Sequence, residues 1–178
     1  MTELKWYSAF LLLLLFACGS ETGQKEEAMK PIITQLFANN QGLFRDASIG
    51  QSYAETNIPD SAEIIQNTDS LIQYELDIQY GDSSSNVTVY YTFDDFGLFE
   101  IQVDVFPRGK EAAAYYMNLL EDELSERFGD YNRIGAVKRW TTASPSNNRV
   151  EISLSNETAD YGEPFISLNF LEPLEEEV

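Results

Sequence analysis

The sequence predicts an α+β fold: a two-layer domain with an antiparallel sheet of about six strands and helices on one face. Three observations lead to this prediction. Several segments alternate strictly between apolar and polar residues, which is typical of half-buried strands. Short clusters of turn residues separate these segments, so consecutive strands are expected to pair as hairpins. One long segment has apolar residues at helical spacing and supplies the second layer.

The first elements of the domain are short. Apolar residues recur at helical spacing from Ile32 to Phe37, directly after Pro31, and predict a helix that stops at Gly42. Residues 43–49 are expected to form a short strand, and residues 51–57 a helical turn.

The central part of the chain has the clearest periodicity. Residues 72–80, 87–93 and 99–105 alternate between apolar and polar side chains and predict three antiparallel strands. A helix is expected from Lys110 to Phe128, ending at Gly129. Its apolar face consists of Ala113, Met117, Leu120, Leu124 and Phe128. Three more strands are predicted around residues 137–142, 150–154 and 166–170.

The two halves of the domain have similar patterns. Residues 86–106 and 148–170 share a strand, turn and strand arrangement at an offset of 63 to 65 residues. This similarity favours a tandem duplication of a helix-plus-three-strand unit. Because any two three-stranded meanders show similar spacing, common topology without duplication explains the pattern equally well.

The composition excludes several classes of function. The chain has 178 residues, of which 43% are hydrophobic, so it can bury one core. Its 11 Lys and Arg against 30 Asp and Glu give a net charge of −19, which opposes binding to nucleic acid. The absence of His excludes an imidazole base, a Ser-His-Asp triad and a His-ligated metal. We expect no catalytic residue, no metal and no cofactor.

The lone cysteine, Cys18, indicates where the protein functions. It follows a largely apolar run of 12 residues, 6–17, whereas a membrane-spanning helix needs about 20. A polar head with Lys5, a short apolar stretch and a small residue at its end form a secretory signal. An ordinary signal peptide would leave a free thiol at Cys18, which is uncommon in oxidising compartments.

The sequence Leu15-Phe16-Ala17-Cys18 resembles the lipobox of bacterial lipoproteins. The resemblance implies that diacylglycerol is joined to the Cys18 sulfur and that the preceding residues are removed. The lipid chains then anchor the protein to the membrane. Gly19 and Ser20 resemble the outer-membrane default of the enterobacterial sorting pattern. The pattern does not distinguish the periplasmic face of that membrane from the cell surface.

This resemblance and the periodicity define four regions. Residues 1–17 are the expected signal peptide, and residues 18–30 are the lipidated cysteine with a flexible tether. Residues 31–172 form a single α+β domain, and residues 173–178 form an acidic tail.

The sheet face opposite to the helices is the candidate binding surface. Its expected residues are Gln73, Glu75, Asp77, Gln79, Thr88, Tyr90, Thr92, Glu100, Gln102, Asp104, Glu151, Ser153, Ser155, Ser167 and Asn169. The simpler interpretation is a solvated sheet face. The functional interpretation is a shallow platform for a cationic envelope protein or a polar ligand, formed by Glu75, Asp77, Tyr90, Glu100 and Asp104, with Tyr90 as an anchor.

Other chemical signals are less specific. Asp94 and Asp95 could supply oxygen ligands to calcium, but Asp is also favoured in hairpin turns, and we expect turn chemistry here. The many carboxylates could include a pair suited to hydrolysis. The sequence therefore predicts a lipid-anchored, non-catalytic binding or scaffolding module. A small carboxylate-dependent hydrolase and a structural spacer without a specific ligand are the alternatives.

Overall fold

The structure, a computed structural model, describes residues 32–38, 42–80 and 83–173. The predictions for the signal peptide, for Cys18 and its tether, and for residues 174–178 of the acidic tail lie outside the described residues.

The described residues form one antiparallel sheet with one long helix and three short helical segments. Helix α1 covers residues 32–37, a 3₁₀ turn covers Tyr53–Glu55, α2 is Lys110–Phe128 and α3 is Thr158–Tyr161. The strands are β1 (Glu63–Thr68), β2 (Leu71–Tyr80), β3 (Ser83–Asp94), β4 (Gly97–Phe106), β5 (Asn132–Ile134), β6 (Val137–Ala143), β7 (Arg149–Asn156) and β8 (Ile166–Leu171). Their order in the sheet is β1-β2-β3-β4-β8-β7-β6-β5.

The order of the strands is symmetric about the central pair. Each half of the described chain contains a helix, α1 or α2, followed by four strands that pair as a meander. The two meanders meet where β4 pairs antiparallel with β8, and Val103 lies opposite Leu168 in that pair.

One face of the sheet contains the core. Alternate residues of the long strands are buried there, as the periodicity predicts. They include Ile72, Tyr74, Ile78, Val87, Val89, Tyr91, Ile101, Val103, Val105, Val150, Ile152, Leu154, Ile166, Leu168 and Phe170. The rings of Phe44 and Phe128 both contact the ring of Phe170, so the segment after α1 and the end of α2 cover the same face.

Helix α2 begins and ends where the sequence predicts, but its buried side is wider. It buries Ala113, Tyr116, Leu119, Leu120 and Leu124. Tyr116 and Leu119, which are not part of the predicted apolar face, are buried. Met117 and Phe128, which are part of it, are only partly buried. Among the described residues, no helix is both long and apolar enough to cross a bilayer.

The prediction of six strands is wrong, because two edge strands have no alternating pattern. All six residues of β1 are exposed, including the consecutive Ile64 and Ile65, and all three residues of β5 are exposed. A strand at the sheet edge has fewer neighbours that bury its side chains, so hydrophobic periodicity does not mark it.

Two predictions about short elements have different outcomes. Residues 43–49 form no strand: a single bridge joins Phe44 and Ala47 within a tight turn. The turn begins at Gly42, whose φ of +84° favours glycine. The helical turn within residues 51–57 is confirmed as the 3₁₀ turn Tyr53–Glu55.

Candidate functional site

The candidate site is the sheet face opposite to the core, called the polar face below. Strand pairing places its side chains in rows that run across the strands. One row crosses from β2 to β7 through Glu75, Thr88, Asp104, Ser167 and Ser155. The adjacent row crosses the same strands through Gln73, Tyr90, Gln102, Asn169 and Ser153. The central residues of the predicted surface therefore lie together on one face.

A hydrogen-bonded cluster occupies the centre of the polar face. The Ser167 hydroxyl donates to Oδ1 of Asp104 at 3.0 Å, and Nε2 of Gln102 donates to Oδ2 at 2.8 Å. Nδ2 of Asn169 donates to the Ser167 hydroxyl at 3.2 Å. These residues come from β4 and β8, so the cluster joins the two halves of the sheet.

Asp104 is buried, as are its row neighbours Thr88 and Ser167. Only 5% of the residue is exposed. Burial raises the pKa of Asp104, while hydrogen bonds from Ser167 and Gln102 partly oppose that shift. Within the described residues the ion pairs are Lys138 with Glu121 and Arg149 with Glu151, so neutral donors alone hold the Asp104 carboxylate.

Tyr90 lies close to this buried carboxylate, and Glu75 lies in the same row as Asp104 with Thr88 between them. Tyr90 is partly exposed, and its pKa is raised by burial and by the negative charges of Asp104 and Glu75. Nδ2 of Asn86 donates to Oε2 of Glu75 at 3.4 Å. The structure thus brings together three of the five residues that the sequence analysis selected.

The other two selected residues lie at the margins of the polar face. Glu100 lies in the row next to that of Tyr90 and Gln102. Its Oε2 accepts a long hydrogen bond of 3.5 Å from the Thr92 hydroxyl. Asp77 is exposed and lies opposite Asn86 at the other end of the face. The five residues therefore form an elongated surface and not one compact pocket.

An aromatic pair that the sequence analysis missed borders the same face. The rings of Phe106 and Phe165 stack with centroids 5.2 Å apart and an interplanar angle of 6°. Phe106 is 42% exposed and lies opposite Asn86. Its position in β4 has the same alternation as Gln102 and Asp104, and this is the signal that could have placed it on the polar face.

Charge is distributed unevenly between the two halves of the domain. From residue 46 to residue 107 the sequence contains 12 Asp and Glu and no Lys or Arg. This segment includes all of β1, β2, β3 and β4. The half of the polar face that β2–β4 form therefore has no basic residue of its own strands to neutralise its carboxylates.

A cavity away from the polar face contains carboxylates and is therefore the candidate for a catalytic cleft. It has a volume of about 470 Å³, and its lining includes Asp46, Glu55 and Ser146. The Ser52 hydroxyl and backbone N–H donate to Oε2 of Glu55 and lower its pKa. The lowered pKa favours the charged form of Glu55, whereas a carboxyl that acts as a general acid needs a raised pKa.

The structure gives local roles to the acidic hairpin and to Trp140. Oδ1 of Asp94 accepts the backbone N–H of Phe96 at 2.8 Å, which is turn chemistry. Among the described residues, no group of three or more Asp, Glu, His or Cys could hold a metal ion. Trp140 is buried in the core, and its indole N–H donates to the Gly129 carbonyl at 3.0 Å.

No family model matches the sequence, and neither a curated protein nor a solved structure is significantly similar to it.

Proposed function

We propose that this chain is a lipid-anchored protein of the bacterial cell envelope, whose folded domain is a non-catalytic binding module. The proposal of an anchor rests on the lipobox-like Leu15-Phe16-Ala17-Cys18 and on the largely apolar run of 12 residues before Cys18. Gly19 and Ser20 favour the outer membrane as its location.

The observation that supports a binding role is the buried carboxylate at the centre of the polar face. A carboxylate that is 5% exposed and held only by neutral donors raises the energy of the folded state. A solvated face or a spacer has no need of such a group. A ligand that supplies complementary charge or hydrogen bonds over Asp104 would offset this cost.

The test is site-directed photo-crosslinking in intact cells. Benzoylphenylalanine replaces Tyr90 on the polar face, or Asp122 on the exposed side of α2 as a control. We expect a discrete cross-linked product from position 90 and none from position 122. A structural spacer without a ligand would give no product at either position, and that outcome would refute the binding role.

We further propose that the two halves arose by tandem duplication. Val103 and Leu168 lie opposite each other in the central pair and are 65 residues apart, which is the offset of the sequence match. A twofold axis through this pair would exchange the two meanders. The repeated unit would then be a helix followed by four strands, since β1 and β5 extend the three-stranded unit expected from the sequence.

A further inference from the structure

We propose that the polar face binds a segment rich in Arg and Lys from a partner protein, with Glu75, Glu100 and Asp104 as the acceptors of its cationic groups. This inference rests on the proposed binding function and names the chemistry of the partner.

Charge complementarity is the first argument. The residues from 46 to 107 contain 12 carboxylates and no basic residue. Asp104 lies at the centre of the face, beside the partly exposed Tyr90 and one strand away from Thr88. A guanidinium or ammonium group over this region would donate charge-assisted hydrogen bonds to the carboxylates, which no basic residue among the described residues does. Such a contact would also steer the partner toward the face.

The spacing of the carboxylates distinguishes basic side chains from a metal ion. Glu75 and Asp104 belong to strands with β3 between them, so their Cα atoms lie about 10 Å apart at the usual strand spacing. Calcium needs 6 to 8 oxygens at about 2.5 Å, which such separated groups cannot provide. Successive basic side chains of one segment can each reach a different carboxylate.

Aromatic groups on the face fit the same chemistry. The ring of Tyr90 lies beside two carboxylates, and the stacked Phe106 and Phe165 border the face near Asp77. Arginine stacks on such rings through cation–π contacts while its N–H groups bind carboxylates. A second copy of this chain is a poor occupant, because two chains with a net charge of −19 repel each other.

The test measures binding of a defined peptide to the full lipidated chain in neutral detergent. The probe is a capped ten-residue peptide of alternating Ser and Arg, compared with the same peptide carrying Gln in place of Arg. We expect calorimetry at low salt to detect the Arg peptide and not the Gln peptide. Equal binding of both, or binding of neither, would overturn the proposal.

Matched variants then locate the binding surface. Glu75→Gln/Glu100→Gln/Asp104→Asn removes three charges from the polar face. Glu111→Gln/Asp122→Asn/Glu126→Gln removes three exposed charges from α2 on the other side of the sheet. We expect the first variant to weaken binding about tenfold and the second less than about twofold. Equal weakening would mean that only the net charge of the protein matters, which would refute the site.

Two further measurements complete the test. The first distinguishes misfolding of the triple variant from loss of binding, and the second distinguishes failure of the proposed basic partner from failure of the binding role itself. The variant Glu75→Gln/Glu100→Gln keeps the buried Asp104. If this variant is folded and binds the Arg peptide more weakly than the wild type does, the result supports the proposal. The Arg peptide should also abolish the photo-cross-link at position 90. If that cross-link persists, the basic partner is refuted while the binding role stands, and if no cross-link forms at all, the binding role itself fails.

Discussion

Lys138 is the basic side chain that the fold removes most completely from water among the described residues. It is 6% exposed and forms an ion pair with Glu121 of α2. The hydroxyl of Tyr131 donates to the same carboxylate at 2.6 Å, and Lys138 lies 5.7 Å from the Tyr131 ring centroid. A buried ammonium group is tolerable only while this carboxylate is present.

Glu121→Gln therefore leaves a buried charge without its counter-ion, and we expect a loss of about 1–3 kcal/mol in the free energy of unfolding at pH 7. Because the hydrogen bonds from Lys138 and Tyr131 lower the pKa of Glu121, the loss should shrink as the pH falls through that pKa. Urea unfolding measures the change. Glu126→Gln, on the exposed side of α2, is the control and should change stability by less than about 0.5 kcal/mol. Equal effects of the two substitutions would contradict this role of Glu121.

Asp104 predicts a pH dependence of the opposite sign. Burial raises its pKa in the folded state, so the folded protein binds this proton more tightly than the unfolded chain does. Its contribution to stability is greatest below the unfolded pKa of about 3.9 and is lost as the pH rises through the folded pKa. The difference in unfolding free energy between the wild type and Asp104→Asn should therefore fall as the pH rises from about 4. A difference that rises with pH would show that the carboxylate is stabilised by the fold.

At the scale of elements, glycines fix the end of α2 and the start of β4, which the hydrophobic pattern alone does not define. Gly129 ends α2 with a φ of +82°, and a Cβ there would meet no atom within 4 Å. Gly97 begins β4 with a φ of +121°, and a Cβ there would lie 2.9 Å from the carbonyl oxygens of Gly50 and Gln51. Both backbone conformations favour glycine, but only the second also forbids a side chain by contact.

We expect Gly129→Ala to cost about 1–3 kcal/mol of unfolding free energy from backbone strain alone. Gly97→Ala should cost more than Gly129→Ala, because its Cβ must also displace backbone atoms of the 50–51 segment. Chemical unfolding of both variants under the same conditions measures the difference. Equal costs would indicate that the 50–51 segment moves away freely.

At the scale of the whole molecule, charge is distributed unevenly between the two halves of the sheet. The half formed by β1–β4 carries carboxylates without any basic residue, while Lys138, Arg139 and Arg149 all lie in the other half. Ion pairs with a covering partner are therefore most favourable over the first half.

The proposed anchor is tested on the intact protein. We expect the native mass to lack residues 1–17 and to include a diacylglycerol at Cys18, and we expect radioactive palmitate to label the wild type. Cys18→Ser should remove the label, because the thioether cannot form, whereas Ser20→Ala should keep it. A native chain that retains residue 1, or a labelled Cys18→Ser protein, would refute the lipid anchor.

The long elements could be predicted from the sequence because their pattern reflects their burial. Lys110–Phe128 and the alternating strands β2, β3 and β4 bury one side each, and that side is visible as periodicity. The edge strands β1 and β5 bury almost nothing, so no pattern marks them. The sequence predicts a shared face for Glu75, Asp77, Tyr90, Glu100 and Asp104, and the strand register places all five on that face. The sequence pattern did not single out the bordering Phe106 and Phe165.

The sequence by itself determined the class of fold, the side of each long strand that faces the core, and the net charge that opposes binding of polyanionic ligands, because each follows from local periodicity or from composition. Only the tertiary structure decided that β4 pairs with β8. That pairing places Ser167 against Asp104 across 63 residues of chain and buries a carboxylate among neutral donors. Contacts between distant strands depend on how the two meanders meet, and local alternation contains no information about that.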